Sequence, residues 1–86
     1  MSITLLSRDG CAACRTAAAD LRRICTELGT DFETVDVDAA AAAGDRELRA
    51  EFGDRLPVVL LDGEEHSYWE VDEPRLRADL AARAAR

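Results

Sequence analysis

A chain of 86 residues has room for one small domain with a modest core, and 48% apolar residues is the composition of a folded protein rather than a disordered one. A net charge of −7, from 18 acidic against 11 basic side chains, argues against nucleic acid and against an anionic membrane surface as partner. No apolar run approaches the roughly 20 residues of a membrane span, no charged-then-apolar leader precedes the first strand, and an odd count of three cysteines does not make the disulfide framework of a secreted mini-protein. The expectation is a single cytoplasmic domain over residues 1–86, its thiols kept reduced by the compartment. All eleven basic residues are arginine. Together with the alanine tracts this reads as compositional bias, to which no function is attached.

Ile3 to Leu6 reads as a strand, apolar on both faces as a central strand is. Ser7 to Gly10 is a loop, and from Ala12 to Leu28 the pattern is helical. Ala17, Leu21, Ile24, Cys25 and Leu28 form one apolar stripe, and Gly29 ends the helix. Cys25 belongs to that stripe and reads as a small buried hydrophobe. Phe32 to Val37 alternates apolar and polar, a second strand. Strand, helix, strand makes a right-handed crossover unit with parallel strands. Asp38 is the expected cap of a second helix from about Ala39 to Phe52, weakened near Gly44-Asp45, with Leu48 and Phe52 on its core side.

After a turn at Gly53-Asp54-Arg55, Leu56 to Leu61 is the third strand, with Pro57 at its start. Asp62-Gly63 is a hairpin signal, and His66 to Val71 is the expected fourth strand, antiparallel to the third. Asp72 caps a last helix that tolerates Pro74 in its first turn. Leu76 and Leu80 are its apolar stripe, and Arg83 and Arg86 suit the dipole at its end. His66 sits on an edge hairpin far in sequence from the cysteines and is assigned no role.

The chemistry lies in Cys11-Ala12-Ala13-Cys14, between the first strand and the first helix. At a helix start the backbone N–H groups are unpaired and the dipole favours negative charge. A thiolate is such a charge: a free cysteine titrates near 8.5, and a helix N-terminus or C-x-x-C setting brings this to about 3.5–7.5. Cys14 stands one turn on, close enough to close a disulfide. Strand, C-x-x-C, helix is the redox form of this motif. The same pair is also half of a zinc site. Cys25 lies too far along the helix to join the same ion, so a metal reading needs a zinc or iron–sulfur centre shared between two chains. A redox-inert interaction domain is the third reading. No phosphate loop, Ser-His-Asp set or nucleotide fingerprint is present.

A proline opening a buried strand removes one ladder donor and needs a reason. With Leu56-Pro57-Val58 and Asp62-Gly63 added to the C-x-x-C, nearly the whole chain resembles the thioredoxin superfamily, in its glutaredoxin-like branch. The resemblance implies an α/β fold: a four-stranded mixed sheet in order 2-1-3-4 flanked by three helices. It implies a cis Pro57 against the active-site sulfurs, Cys11 as exposed nucleophile, Cys14 as buried resolving thiol, and Leu56 pairing its backbone with a thiol substrate. Arg8 stands three before the nucleophile, where many glutaredoxins are basic. The activity implied is disulfide reduction on protein or small-molecule substrates, by a monomer, with no cofactor and no metal. Electrons come from glutathione or from a thioredoxin reductase-like flavoprotein. The Leu-Pro-Val-Val run, with Ser67 and Trp69, is also similar to redoxins that serve ribonucleotide reductase. Tyr68-Trp69 stand where glutathione users carry two glycines, so the protein donor is the expected one.

Overall fold

The computed structural model describes residues 1–85, and Arg86, expected to complement the last helix dipole, lies outside them. The elements are β1 (Ile3–Ser7), α1 (Ala12–Leu28), β2 (Glu33–Asp36), α2 (Val37–Ala42), α3 (Glu47–Phe52), β3 (Val58–Leu61), β4 (Glu64–Tyr68) and α4 (Glu73–Ala84). The strands form one mixed sheet in the order β2-β1-β3-β4. β1 runs parallel to β2 (Leu5 opposite Thr34), antiparallel to β3 (Leu5 opposite Val59), and β3 runs antiparallel to β4.

The period-2 alternation of the central strands divides the core in two. Ile3, Leu5, Val59 and Leu61 meet Ala17, Leu21, Ile24 and Cys25 of α1 and Leu76 and Leu80 of α4. Leu6, Val58 and Leu60 point the other way, onto Val37 of α2 and Phe52 of α3. α1 and α4 therefore share one face, and α2 and α3 cover the other. Cys25 is buried as expected. Leu28, expected in the apolar stripe, is 46% exposed.

Four helices stand where three are expected. Gly44, at φ 109°, breaks the second one in a conformation that side-chain-bearing residues rarely adopt. The Asp45 carboxylate then accepts the Glu47 amide, and α3 begins anew. The cap of α2 is Asp36, not Asp38: Asp36 Oδ1 accepts the amides of Asp38 and Ala39 at 2.9 and 3.0 Å. That starts the helix at Val37 and ends β2 one residue early. β3 begins at Val58, because Pro57 offers no N–H to the ladder. β4 starts two residues and ends three residues before the expected His66 to Val71. The hairpin closes at once, Leu61 opposite Glu64, and the strand stops where Trp69 turns to φ 69°. A bulge between Val59 and Leu60 leaves His66 as the extra residue of β4. Among the described residues no helix is long and apolar enough to cross a membrane.

Candidate functional site

β1 ends at Ser7, and Gly10, at φ 76°, turns the chain into α1. Cys11 is the N-cap: its backbone is extended and its Sγ accepts the amide of Cys14 at 3.1 Å. A sulfur thus takes the place that Ser or Asp holds at most helix starts. Residues 12–15 contain no carboxylate, so no fixed negative charge in the first turn competes for the exposed N–H groups. Cys11 is partly exposed, whereas Cys14 is 4% exposed. Their Cα atoms are 5.2 Å apart, within the range a disulfide spans, and the two sulfurs stand as a bonded pair. A cleft of about 170 Å³ beside them is lined by Leu5, Arg8, Gly10, Cys11, Cys14 and Thr34 among others.

Arg8 reaches this cleft but is held by other groups. Its Nε and Nη2 donate to Asp38 at 2.7 and 3.2 Å, and its Nη1 donates to the Gly53 carbonyl at 3.4 Å. Hydrogen bonding from Arg8 draws the Asp38 carboxyl below its ordinary value, and Arg49, 3.6 Å away, adds to this. Sequence reading missed this role of Asp38, because two aspartates two residues apart both suit a helix cap. Asp36 takes the cap, and Asp38 is released to tie the β1–α1 loop to α2.

The Leu56–Pro57 peptide is cis. Pro57 is fully buried, and its carbonyl accepts the amide of Trp69 at 2.7 Å. Leu56 is partly buried against the second core. Its own amide and carbonyl carry no hydrogen bond among the described residues.

His66 is not the bland edge residue of the sequence reading. It is 9% exposed, and its Nε2 lies 2.7 Å from Asp79 Oδ2, joining β4 to α4. Nothing in a sequence separation of 13 announces that pair. Cys25 has no sulfur partner, and burial, with the Asp31 charge adding, pushes its thiol up. Among the described residues no group of three or more His, Cys, Asp or Glu is placed to hold a metal ion.

A sheet in this order, a cysteine-capped helix after its first strand and a cis-proline before its third are together the thioredoxin-superfamily architecture. Within it, residues 2–81 match the Glutaredoxin-like domain (DUF836), and the chain belongs to that family. It is 65% identical over 79 residues to an uncharacterized protein of Mycobacterium tuberculosis (strain ATCC 25618 / H37Rv), covering 92% of this chain and 81% of the relative. A structural genomics target protein from X. campestris superposes with a TM-score of 0.68 at 32% identity, over 94% of this chain and 97% of that one. The glutaredoxin-like protein NrdH-redoxin from Escherichia coli, which has a thioredoxin-like activity profile, superposes with a TM-score of 0.57, also at 32% identity, over 85% and 90%. These likenesses support a redox function for the chain.

Proposed function

We propose that the chain is a thiol–disulfide oxidoreductase, one glutaredoxin-like domain over residues 1–86 acting as a cytoplasmic monomer on disulfide-bearing proteins. The observation that carries this reading is the sulfur cap: Cys11 Sγ accepts the Cys14 amide at the start of α1, with the Cys14 sulfur beside it. An N–H donor aimed at that sulfur favours its anionic form, which is the nucleophile.

The Cys11 thiolate attacks one sulfur of the substrate disulfide. A Cys11–substrate bond forms, and the other substrate sulfur leaves as a thiolate that takes up a proton. Cys14, losing its proton, then attacks Cys11 Sγ. The second substrate thiol is released, and the Cys11–Cys14 disulfide holds the two electrons' worth of oxidation. A donor dithiol, or two glutathione molecules, returns the pair to its reduced form. Leu56 is the substrate-binding backbone in this reading, since its amide and carbonyl are free to pair with the incoming chain. Pro57 fixes where Leu56 is presented. Arg8 serves the site by holding the β1–α1 loop through Asp38 rather than as a free charge.

The donor is a protein. Tyr68 and Trp69, 49% and 63% exposed, occupy the approach to α4, where a bound tripeptide needs close access to backbone. The thioredoxin-like profile of the E. coli NrdH-redoxin accords with this preference.

A coupled assay tests the reading. NADPH oxidation is followed with thioredoxin reductase, and separately with glutathione and glutathione reductase, on a protein disulfide substrate. The flavoprotein route is expected to be faster, Cys11→Ser to abolish turnover by both routes, and Cys14→Ser to accumulate a mixed disulfide visible by mass. Iodoacetamide labelling of Cys14 before Cys11 in the reduced protein would overturn the assignment. Equal rates by both routes would overturn the donor preference.

A further inference from the structure

Leu6 of β1, Val58 of β3 and Tyr68 of β4 stand in one cross-strand row. With strands about 4.8 Å apart, Tyr68 lies roughly 10 Å across the sheet from Leu6, at the end where residues 7–10 lead into Cys11. Just beyond it Trp69 adopts φ 69°, a strained conformation for a bulky side chain, held by the hydrogen bond from its amide to Pro57. The consequence is an aromatic pair set edge to face, ring centroids 5.0 Å apart, with both rings facing solvent. Tyr68 and Trp69 are the two exposed aromatic rings, adjacent to each other and set on a strained backbone, which points to a use at the surface.

The pair lines an open groove of about 1050 Å³ between β4 and the start of α4. Five carboxylates line that groove against two guanidiniums, and four of the five are paired: Asp54 and Glu65 with Arg55, Asp72 with Arg75, and Glu73 with Arg23 and Arg77 from outside the lining. Neither guanidinium is free. Arg55 is bonded to Glu65 at 2.9 Å and Asp54 at 3.0 Å, and Arg75 to Asp72 at 3.3 Å. Glu70, exposed, has no ion-pair partner among the described residues. His66 also lines the groove. Its Nε2 lies 2.7 Å from Asp79 Oδ2, and its Nδ1, like Ser67 Oγ, is a buried polar atom without a hydrogen-bond partner among the described residues. The exposed lining is thus an aromatic pair beside one unpaired carboxylate, Glu70, on a chain already at −7.

We propose that this groove docks a positively charged, Arg- or Lys-bearing segment of the protein whose disulfide Cys11 reduces. The statement rests on the redox reading for its substrate, but the docking can be measured apart from it. A guanidinium offers five donors and no acceptor, and stacks on an indole face. An acidic segment meets like charge at the rim and is steered away. The groove is therefore a charge filter at the end of the sheet that carries the dithiol.

Trp69 is the chain's only tryptophan, so its fluorescence reports on the groove directly. The full reduced chain is titrated with a cysteine-free peptide of alternating Arg and Ser, and with its Asp counterpart. The Arg peptide is expected to shift the emission saturably, with affinity falling as salt rises, and Glu70→Lys to weaken it about fivefold. The Asp peptide is expected to leave the emission unchanged. In a second arm, disulfide peptides flanked by Arg or by Asp are reduced, and the Arg-flanked one is expected to have the higher kcat/KM. Equal response to both peptides, no response to either, or an emission that shifts with protein concentration alone (a second copy covering the pair) overturns the proposal. Arg-peptide binding without reduction of either disulfide overturns the redox reading and leaves the docking standing. Reduction of both at one rate with a silent Trp69 overturns the docking alone.

Discussion

α1 and α4 start at the same end of the sheet, each directly after a strand, and both pack on the same face. They differ in what closes their first turn. α1 is capped by the sulfur of Cys11 and has no acid in its first turn. α4 is capped by the Asp72 carboxylate, which accepts the Arg75 amide, and carries Glu73 one residue on. The positive end of α4 is thus already matched by two carboxylates, while that of α1 is left for whatever charge the sulfur bears. Two helix starts at one end of the sheet thus differ in the charge of their first turns and in the atom that caps them, sulfur in α1 and carboxylate oxygen in α4.

The comparison can be broken first in the core. Leu21 on α1 and Leu76 on α4 are both fully buried, and Leu→Ala at either position should cost about 3 to 4 kcal/mol in denaturant unfolding. A much smaller loss at one position would mean the two helices are not held alike. Next comes the cap: Asp72→Ala should lose about 1 kcal/mol of stability in thermal melts and leave thiolate absorbance at residue 11 unmoved. A carboxylate moved to the other helix should act on the chemistry instead. Ala13→Asp, in the exposed first turn of α1, should reduce the thiolate fraction near neutral pH roughly twofold to fivefold, read by absorbance in the far ultraviolet.

The smallest effect is in acid. Hydrogen bonds from Arg23 and Arg77 hold Glu73 at about 2, against an ordinary value of 4.5. A carboxyl whose folded value is depressed contributes stability that is fully present above 4.5 and is lost as pH falls toward about 2. Melting of the native chain and of Glu73→Gln should differ at pH values above that window and converge through it. A constant difference down to the acid end would remove the ion pairs from the account. The carboxylate is solvent-exposed, so added salt should shrink the difference as well.

Much of this was legible in the chain itself. The stripe from Ala17 to Cys25, the C-x-x-C between a strand and that stripe, Gly29 and Asp72 each name a local structure without help from the rest of the molecule. The family resemblance added the strand order and the cis bond before Pro57, which local physics leaves open. What stayed hidden depends on partners distant in sequence. Glu64 to Tyr68 shows no clean alternation, because the bulge at His66 shifts the period within the strand. Asp36 and Asp38 were interchangeable as caps until Arg8 claimed one of them. Leu28 fits the helical period yet is exposed at the last residue of α1. The left-handed turn at Trp69 had no sequence signal, since neither glycine nor asparagine marks it.

At the far end of the sheet, Asp62 gathers three segments: its carboxylate accepts the Ser2 amide at 2.7 Å and the Arg83 Nε at 2.9 Å, and its own amide donates to the Ser2 carbonyl at 2.8 Å. Residue 2, the hairpin and the end of α4 are therefore moored together, one strand length from the pole that carries Cys11 and Trp69. A fluorophore, surface tether or fused carrier attached near residue 2 or residue 83 leaves that pole facing solution. The protein can be mounted on an electrode or a bead in one orientation, with its sulfur pair outermost.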